Sequence, residues 1–173
     1  TKSGLKFYNE YEVYWGGFSQ VQVELFLLDK ASVNQYDYYH IISGVDLPLK
    51  NNQAIDIFFE NHKGKEFILY DDKALEENPE ISRRAKYYHF LQNYRRRYKQ
   101  NWKNNIFTFC ERILLLIQII FHINRVKRLD WVIKYGSNWV SITDDLVCVL
   151  LKNKDKITHY FACTNCADEL FIQ

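Results

Sequence analysis

Gly16-Gly17-Phe18-Ser19-Gln20-Val21-Gln22 opens the part of the chain in which helix and strand patterns alternate most clearly. The two glycines are typical of a turn, and the Ser-x-x-Gln pattern that follows is typical of a helix-capping box. Apolar residues then recur at helical spacing. Together these features predict a helix over about residues 19–30, capped by Ser19.

Strand and helix patterns alternate on the C-terminal side of this helix. Tyr38-Tyr39-His40-Ile41-Ile42 is short, aromatic and β-branched, as in strands that are buried on both faces of parallel or mixed sheets. We then expect a helix capped by Asn52, with Phe58 and Phe59 facing inward, and a strand at about 66–70. The order helix, strand, helix, strand predicts an α/β fold.

A helical insertion is predicted at about residues 79–127. Its first part, from Pro79 to about Lys103, is basic and aromatic, and an apolar helix follows at about 113–123. The apolar run is shorter than the ~20 residues that cross a bilayer. A buried or docking helix is the simpler interpretation, and attachment to a membrane surface is the alternative.

The α/β alternation returns near the C-terminus. Thr143, followed by two aspartates, is predicted to cap a helix whose apolar side faces the core. Asn165 precedes Asp168 by three residues, which predicts a last helix with Glu169 in or near its first turn. The helix dipole would keep a carboxylate there ionised.

Composition limits the class of protein. With 173 residues and 47% hydrophobic content, the chain can form one compact domain, predicted to span 1–173. A net charge of +2 gives no reason to expect a nucleic acid or an anionic membrane as partner of the whole chain. Four cysteines and the absence of Asn-x-Ser/Thr indicate a reducing compartment. Common phosphate-loop, serine-hydrolase and zinc-protease motifs do not occur.

Three local patterns have both a structural and a functional interpretation. The basic-aromatic segment 83–103 suits a solvated helix face, or the binding of nucleic acid or another anionic partner. Cys163 and Cys166, near His159, suit buried thiols better than a zinc or redox site. Without further information, the Asp168–Glu169 pair suits helix capping better than catalysis.

Three stretches taken in order suggest a family. They are Trp15-Gly16-Gly17-Phe18-Ser19-Gln20-Val21, Ile42-Ser43-Gly44-Val45-Asp46-Leu47-Pro48-Leu49-Lys50, and Gly136-Ser137-Asn138-Trp139 with Thr143 and Asp168-Glu169 after it. Together they resemble the core-2/I-branching β-1,6-N-acetylglucosaminyltransferase and peptide O-xylosyltransferase family. The resemblance implies a GT-A-like fold and an inverting reaction that transfers N-acetylglucosamine or xylose from a UDP-sugar to a glycan or protein hydroxyl.

The same resemblance implies roles for individual residues. Glu169 would be the catalytic general base, and no divalent metal or other cofactor would be required. Arg84 is the best match to a family arginine that holds the acceptor, with Arg83 as the competing alignment. The full set of substrate-binding residues implied is Ser43, Asp46, Arg84, Gly136, Ser137 and Asp168.

The resemblance also implies that this chain is the central portion of the domain. The family's first strand would precede Thr1, and the basic side chains that hold the diphosphate would follow Gln173. We expect a bacterial-like cytoplasmic member, with membrane association as an open alternative, or a Golgi membrane enzyme if the source is eukaryotic. An inactive remnant of the fold is the remaining alternative to an enzyme.

Overall fold

Helices are the main secondary structure of the described chain, and its strands are short. The computed structural model describes residues 4–97 and 102–172. The elements are α1 Ser19–Ser32, β1 Tyr38–Ile41, α2 Asn52–Asn61, β2 Tyr70–Asp71, α3 Ala74–Glu77, α4 Pro79–Lys86, α5 Gln92–Arg97, α6 Trp102–Ile120, β3 Tyr135–Gly136, β4 Val140–Thr143, α7 Asp144–Lys152 and α8 Lys154–Phe161. Short 3-10 turns occur at Val126–Arg128 and Ala167–Glu169. The predicted mixture of helices and strands is confirmed, and the GT-A-like arrangement stays a prediction.

The four described strands form two separate antiparallel pairs. β1 pairs with β4, which places Tyr39 opposite Ile142, and β2 pairs with β3, which places Tyr70 opposite Gly136. The predicted parallel or mixed sheet around β1 is therefore wrong. Only Tyr39 of β1 is fully buried, and a strand covered on one face suits an antiparallel pair.

The predicted strand at 66–70 is shorter than its pattern indicates. Only Tyr70 and Asp71 form a strand, and Phe67 makes an isolated antiparallel bridge with Ser141. The backbone N–H of Phe67 donates to the carbonyl of Ser141 at 2.9 Å. This bridge joins the segment before β2 to the sheet formed by β1 and β4.

A cluster of buried residues joins α1 to the C-terminal end of the described chain. Helix α1 packs against α7, and both contact β1. Val21, Ile142 and Val147 are fully buried there, each contributing about 1.5 to 3 kcal/mol of hydrophobic stabilisation. Leu170 and its two successors also lie in this cluster, so the end of the described chain is fixed against α1.

Of three predicted helix N-caps, one is confirmed and two are wrong. Thr143 caps α7 as predicted, through its side-chain oxygen. Asn51 rather than Asn52 caps α2. No side chain caps α1, because the Ser19 hydroxyl instead accepts the N–H of Tyr14 at 2.8 Å. That bond folds the preceding segment back onto the start of the helix.

Helix α2 is less buried than predicted. None of its residues is fully buried. Phe59 packs against the rings of Tyr38 and His40, with the centroids 4.6 and 4.7 Å away. Phe58 remains largely exposed.

The predicted last helix is a single 3-10 turn. Cys166 precedes it in the left-handed region, with φ of 51°, and no side chain caps it. Because the next residues enter the core, the chain does not continue as a helix. Glu169 therefore ends a three-residue turn, and the predicted stabilisation by a helix dipole is wrong.

The predicted basic-aromatic helix is broken. The chain leaves helix α4 at Lys86 and re-enters helix α5 at Gln92, and residues 98–101 of the predicted helix lie outside the described part. Polar groups fill the break, because buried Glu111 of α6 accepts the N–H of Leu91 at 3.0 Å. A local helical pattern does not indicate this break, because the hydrogen-bond partner, Glu111, lies 20 residues further along the chain.

Buried Arg125 ties this insertion to the segment before Asp168. Its guanidinium donates to the carbonyls of Tyr87 and Tyr160 and lies against the rings of Tyr88 and Tyr160. It also donates to the hydroxyl of Thr164 at 3.1 Å. Burial lowers the pKa of Arg125. The loop that leads to the Asp168–Glu169 turn is thus held by a fixed cation.

Candidate active site

A cleft of about 680 Å³ lies between the start of α1, the β2–β3 pair and the Asp168–Glu169 turn. Its walls combine aromatic rings with a few polar groups. The lining residues are Trp15, Gln20, Leu69, Tyr70, Asp71, Tyr135, Gly136, Ser137, Asn138, Trp139, Asp168 and Glu169. An aromatic cleft with a small number of polar side chains is typical of a site for a small or sugar-like ligand.

Asp168 lines the cleft and joins two of its walls through hydrogen bonds. It is buried, and its Oδ2 accepts from Gln20 Nε2 at 3.1 Å and from Asn138 Nδ2 at 3.4 Å. The backbone N–H of Cys166 donates to the carbonyl of Gly16 at 2.9 Å. Two of the three stretches that carry the family resemblance therefore meet at one carboxylate. Burial raises the pKa of Asp168.

Glu169 stands beside Asp168 and is about one-third exposed to the cleft. Its Oε2 lies 3.2 Å from Arg84 Nη1, and Tyr135 is close enough to lower the pKa of Glu169. Burial and the charge of Asp168 raise the pKa of Glu169, while Arg84 and Tyr135 act in the opposite direction. The carboxylate is thus held by directed contacts and keeps an accessible oxygen.

Arg84 does not line the cleft; it contacts the cleft residue Glu169 from a neighbouring pocket. Helix α4 presents it one turn after Glu80, whose Oε1 accepts from Arg84 Nη2 at 2.7 Å. Asn78 caps this helix, which sets its direction. The guanidinium therefore bridges Glu80 and Glu169, while Arg83, the competing alignment, makes no ion pair within 4.0 Å in the described structure.

Gly136 and Ser137 line the cleft as the wall formed by β3 and the loop after it. The N–H of Ser137 donates to the carbonyl of Leu69 at 3.1 Å, which continues the β2–β3 pairing. The Ser137 hydroxyl accepts the N–H of Trp139 at 3.2 Å and so sets the position of that indole.

Ser43 and Asp46 lie outside the cleft. They close a turn after β1, in which Asp46 Oδ2 accepts the N–H of Ser43 at 2.7 Å and the N–H of Asp46 donates back to the Ser43 carbonyl at 3.2 Å. Asp46 is exposed, and neither residue lines the cleft described above. Their substrate-binding role stays a prediction from the resemblance alone.

Glu24, which the sequence reasoning missed, borders a second pocket and influences the site through Asp168. It lies one turn after Gln20 on α1, and its Oε2 is buried without a hydrogen-bond partner in the described structure. Burial, followed by the charge of Asp168, raises its pKa to about 8. Because Glu24 is therefore uncharged when Asp168 titrates, the two carboxyl groups avoid a buried double charge. The sequence did contain a signal: a glutamate, Glu24, falls on the same helix face as the apolar residues Val21 and Leu28.

The cysteines and acidic groups give no metal site in the described part of the chain. No group of three or more His, Cys, Asp or Glu side chains there could hold an ion. Neither Cys163 nor Cys166 forms a disulfide in the described structure, and burial raises the pKa of Cys163. Cys166 is buried, as the interpretation of this pair as buried thiols expects, whereas Cys163 is only partly buried.

Comparison with known proteins gives the class and then the family. The family model described as Core-2/I-Branching enzyme matches residues 5–173. The chain is therefore of the glycosyltransferase class. It belongs to the core-2/I-branching enzyme family, as the three stretches of sequence indicated. No curated protein matches the chain significantly. Within residues 4–97 and 102–172, no helix is long and apolar enough to cross a membrane.

Proposed function

We propose that this chain carries the catalytic base of an inverting glycosyltransferase, which moves N-acetylglucosamine or xylose from a UDP-sugar to a hydroxyl of a glycan or protein acceptor. Glu169 is the proposed base. The observation that carries the proposal is the placement of this carboxylate: it opens into an aromatic cleft and is held from behind by Arg84 and Tyr135.

The proposed reaction consists of one proton transfer and one displacement at the anomeric carbon. Glu169 takes the proton of the acceptor hydroxyl while the hydroxyl oxygen attacks the anomeric carbon of the donor sugar. The sugar–phosphate bond breaks on the opposite face, so UDP leaves with the bonding electrons and the anomeric configuration inverts. An α-linked donor thus gives a β-linked product.

The environment of Glu169 suits a general base. A carboxylate with an ordinary pKa is a weak base at neutral pH, and raising the pKa strengthens it. Burial and the neighbouring charge of Asp168 act in this direction. Arg84 opposes them and lowers the pKa of Glu169, which favours the ionised form that can accept a proton.

The walls of the cleft suit a sugar ring. Trp15, Tyr70 and Trp139 line it with exposed aromatic surface, against which the apolar face of a sugar can pack. The side chains of Ser137 and Asn138 add hydrogen-bonding groups next to these rings. We infer that this cleft holds the acceptor or the transferred sugar, with the reacting oxygen at Glu169.

The experiment is UDP release from a panel of UDP-sugars, with and without EDTA, by the full-length parent protein as wild type and as Glu169→Gln. Removal of a general base lowers the rate by about 10² to 10⁴. We expect release that survives EDTA, that identifies one donor, and that falls by this factor in the variant. The matched control is Glu77→Gln, an exposed carboxylate on α3, which should keep the wild-type rate.

Three outcomes would oppose parts of the proposal. Undiminished release by Glu169→Gln would remove Glu169 from its role while leaving the enzyme class intact. No release from any donor by the folded full-length parent protein, tested over a range of acceptors, would favour the inactive remnant. Loss of activity in EDTA that a divalent cation restores would show that the reaction requires a metal.

A further inference from the structure

Helix α6 turns an apolar stripe toward solvent. Its large apolar residues recur every three or four positions, so at about 100° per residue they share one face. Each of these side chains is between 42% and 69% exposed. The stripe consists of Ile106, Phe109, Ile113, Leu116, Ile117 and Ile120.

Two polar side chains on the opposite face of α6, Glu111 and Gln118, are buried. Gln118 accepts the N–H of Tyr88 at 2.7 Å and donates to its carbonyl at 3.0 Å. Two turns earlier, Glu111 accepts the N–H of Leu91 and lies 3.1 Å from His89 Nδ1. Turning the stripe inward would break these bonds and leave a carboxylate unpaired, which is costly in a buried site. The outward direction of the stripe is therefore fixed by the fold.

Positive charge borders the stripe. Lys103 and Arg112 lie on its two sides, and both are exposed. From Ile81 to Leu129 the only acidic residue is Glu111, whose carboxylate is buried. Trp102, at the N-terminal end of the helix, is also largely exposed. An apolar stripe between cations, with a tryptophan at its end, matches a helix that lies in a membrane interface.

We propose that α6 docks the protein on the surface of an anionic lipid bilayer. The stripe enters the boundary between head groups and acyl chains, and Lys103 and Arg112 stay at the level of the lipid phosphates. Specific protein interfaces carry about one hydrogen bond per 100–200 Å². The stripe has no polar side chain within it, which favours a lipid surface over a protein partner. This inference does not depend on the proposed transferase reaction.

The test is flotation of the protein with vesicles of phosphatidylcholine alone or of phosphatidylcholine and phosphatidylglycerol in equal parts. Leu116→Glu and Ile120→Glu are introduced together, since both positions are exposed and tolerate charge in the fold. The matched control carries Val33→Glu and Val149→Glu, which are exposed apolar positions away from α6. Light scattering without vesicles reports the oligomeric state of each protein.

We expect binding to phosphatidylglycerol vesicles that weakens with salt, is reduced about tenfold or more in the α6 variant, and is kept by the control. Absence of vesicle binding by the wild type would overturn the proposal. Equal binding by the wild type and the α6 variant would also overturn it. A wild-type dimer that becomes a monomer in the α6 variant, with no vesicle binding, would assign the stripe to a second copy of the chain instead.

Discussion

Replacing Glu24 by glutamine should make the stability of the protein less sensitive to pH. Glu24 lies beside Asp168 with one carboxyl oxygen buried, and its pKa is raised from 4.5 to about 8. Between these two values the folded protein keeps a proton that the unfolded chain has released. Raising the pH through this range therefore favours unfolding, and above about pH 8 the effect is complete.

The magnitude follows from the change in proton affinity. Each tenfold change corresponds to about 1.4 kcal/mol, so the full rise from 4.5 to about 8 corresponds to about 5 kcal/mol. Because Glu24 also borders a second pocket, water can reach the ionised carboxylate and reduce this penalty. We expect about 2 to 5 kcal/mol. A glutamine side chain at this position has the same shape as the glutamate and does not titrate.

The assay is denaturant unfolding of wild type and Glu24→Gln at several pH values from about 5 to 9, which span the raised pKa. The difference between the two free energies of unfolding removes the contributions of Asp168, Glu169 and other titrating groups that both proteins share. This difference should shift in favour of Glu24→Gln as the pH rises. Asp29→Asn, an exposed change on the same helix, should follow the wild type. Parallel curves for wild type and Glu24→Gln would refute the reasoning.

Two further predictions concern the arginines. Arg84→Ala should raise the pKa of Glu169, since the guanidinium lowers it, so the acidic limb of the pH–rate profile of UDP release should move to higher pH; an unmoved limb would mean that Glu169 is not the titrating base. Arg125→Ala should lower the free energy of unfolding by about 3 kcal/mol or more, because it leaves buried carbonyls without a donor. Exposed Arg128→Ala is the control for Arg125, and equal effects in chemical denaturation would contradict this account.

Local signals in the sequence predicted a helix well where they depend on residues within or next to that helix. Thr143 caps α7 as predicted, and α1 begins at the predicted Ser19, although the Ser19 hydroxyl bonds to Tyr14 instead of capping the helix. The strands were predicted less well. The aromatic and β-branched run at Tyr38 does not state whether its partner is parallel, and that partner, β4, comes about 100 residues later.

The candidate site divides in the same way. Motif order identified the family and brought Glu169, Asp168 and Gly136 to attention, and the structure places all three around one cleft. The motifs could not show that Ser43 would lie outside it, because the turn that holds Ser43 is satisfied by its own hydrogen bonds. They also did not identify Glu24, since its neighbour Asp168 is remote in the chain.

The pairing of Gln20 with Asp168 spans 148 positions of the chain. Contacts of such high contact order form late, because the loop they close carries a large entropic cost. On the ribosome, Gln20 and Glu24 emerge long before Asp168 is synthesised. The cleft is thus among the last parts of the protein to assemble. Until then Glu24 of the nascent chain lies in water and has the ordinary pKa of a glutamate. Its side chain is therefore charged, which helps to keep α1 soluble.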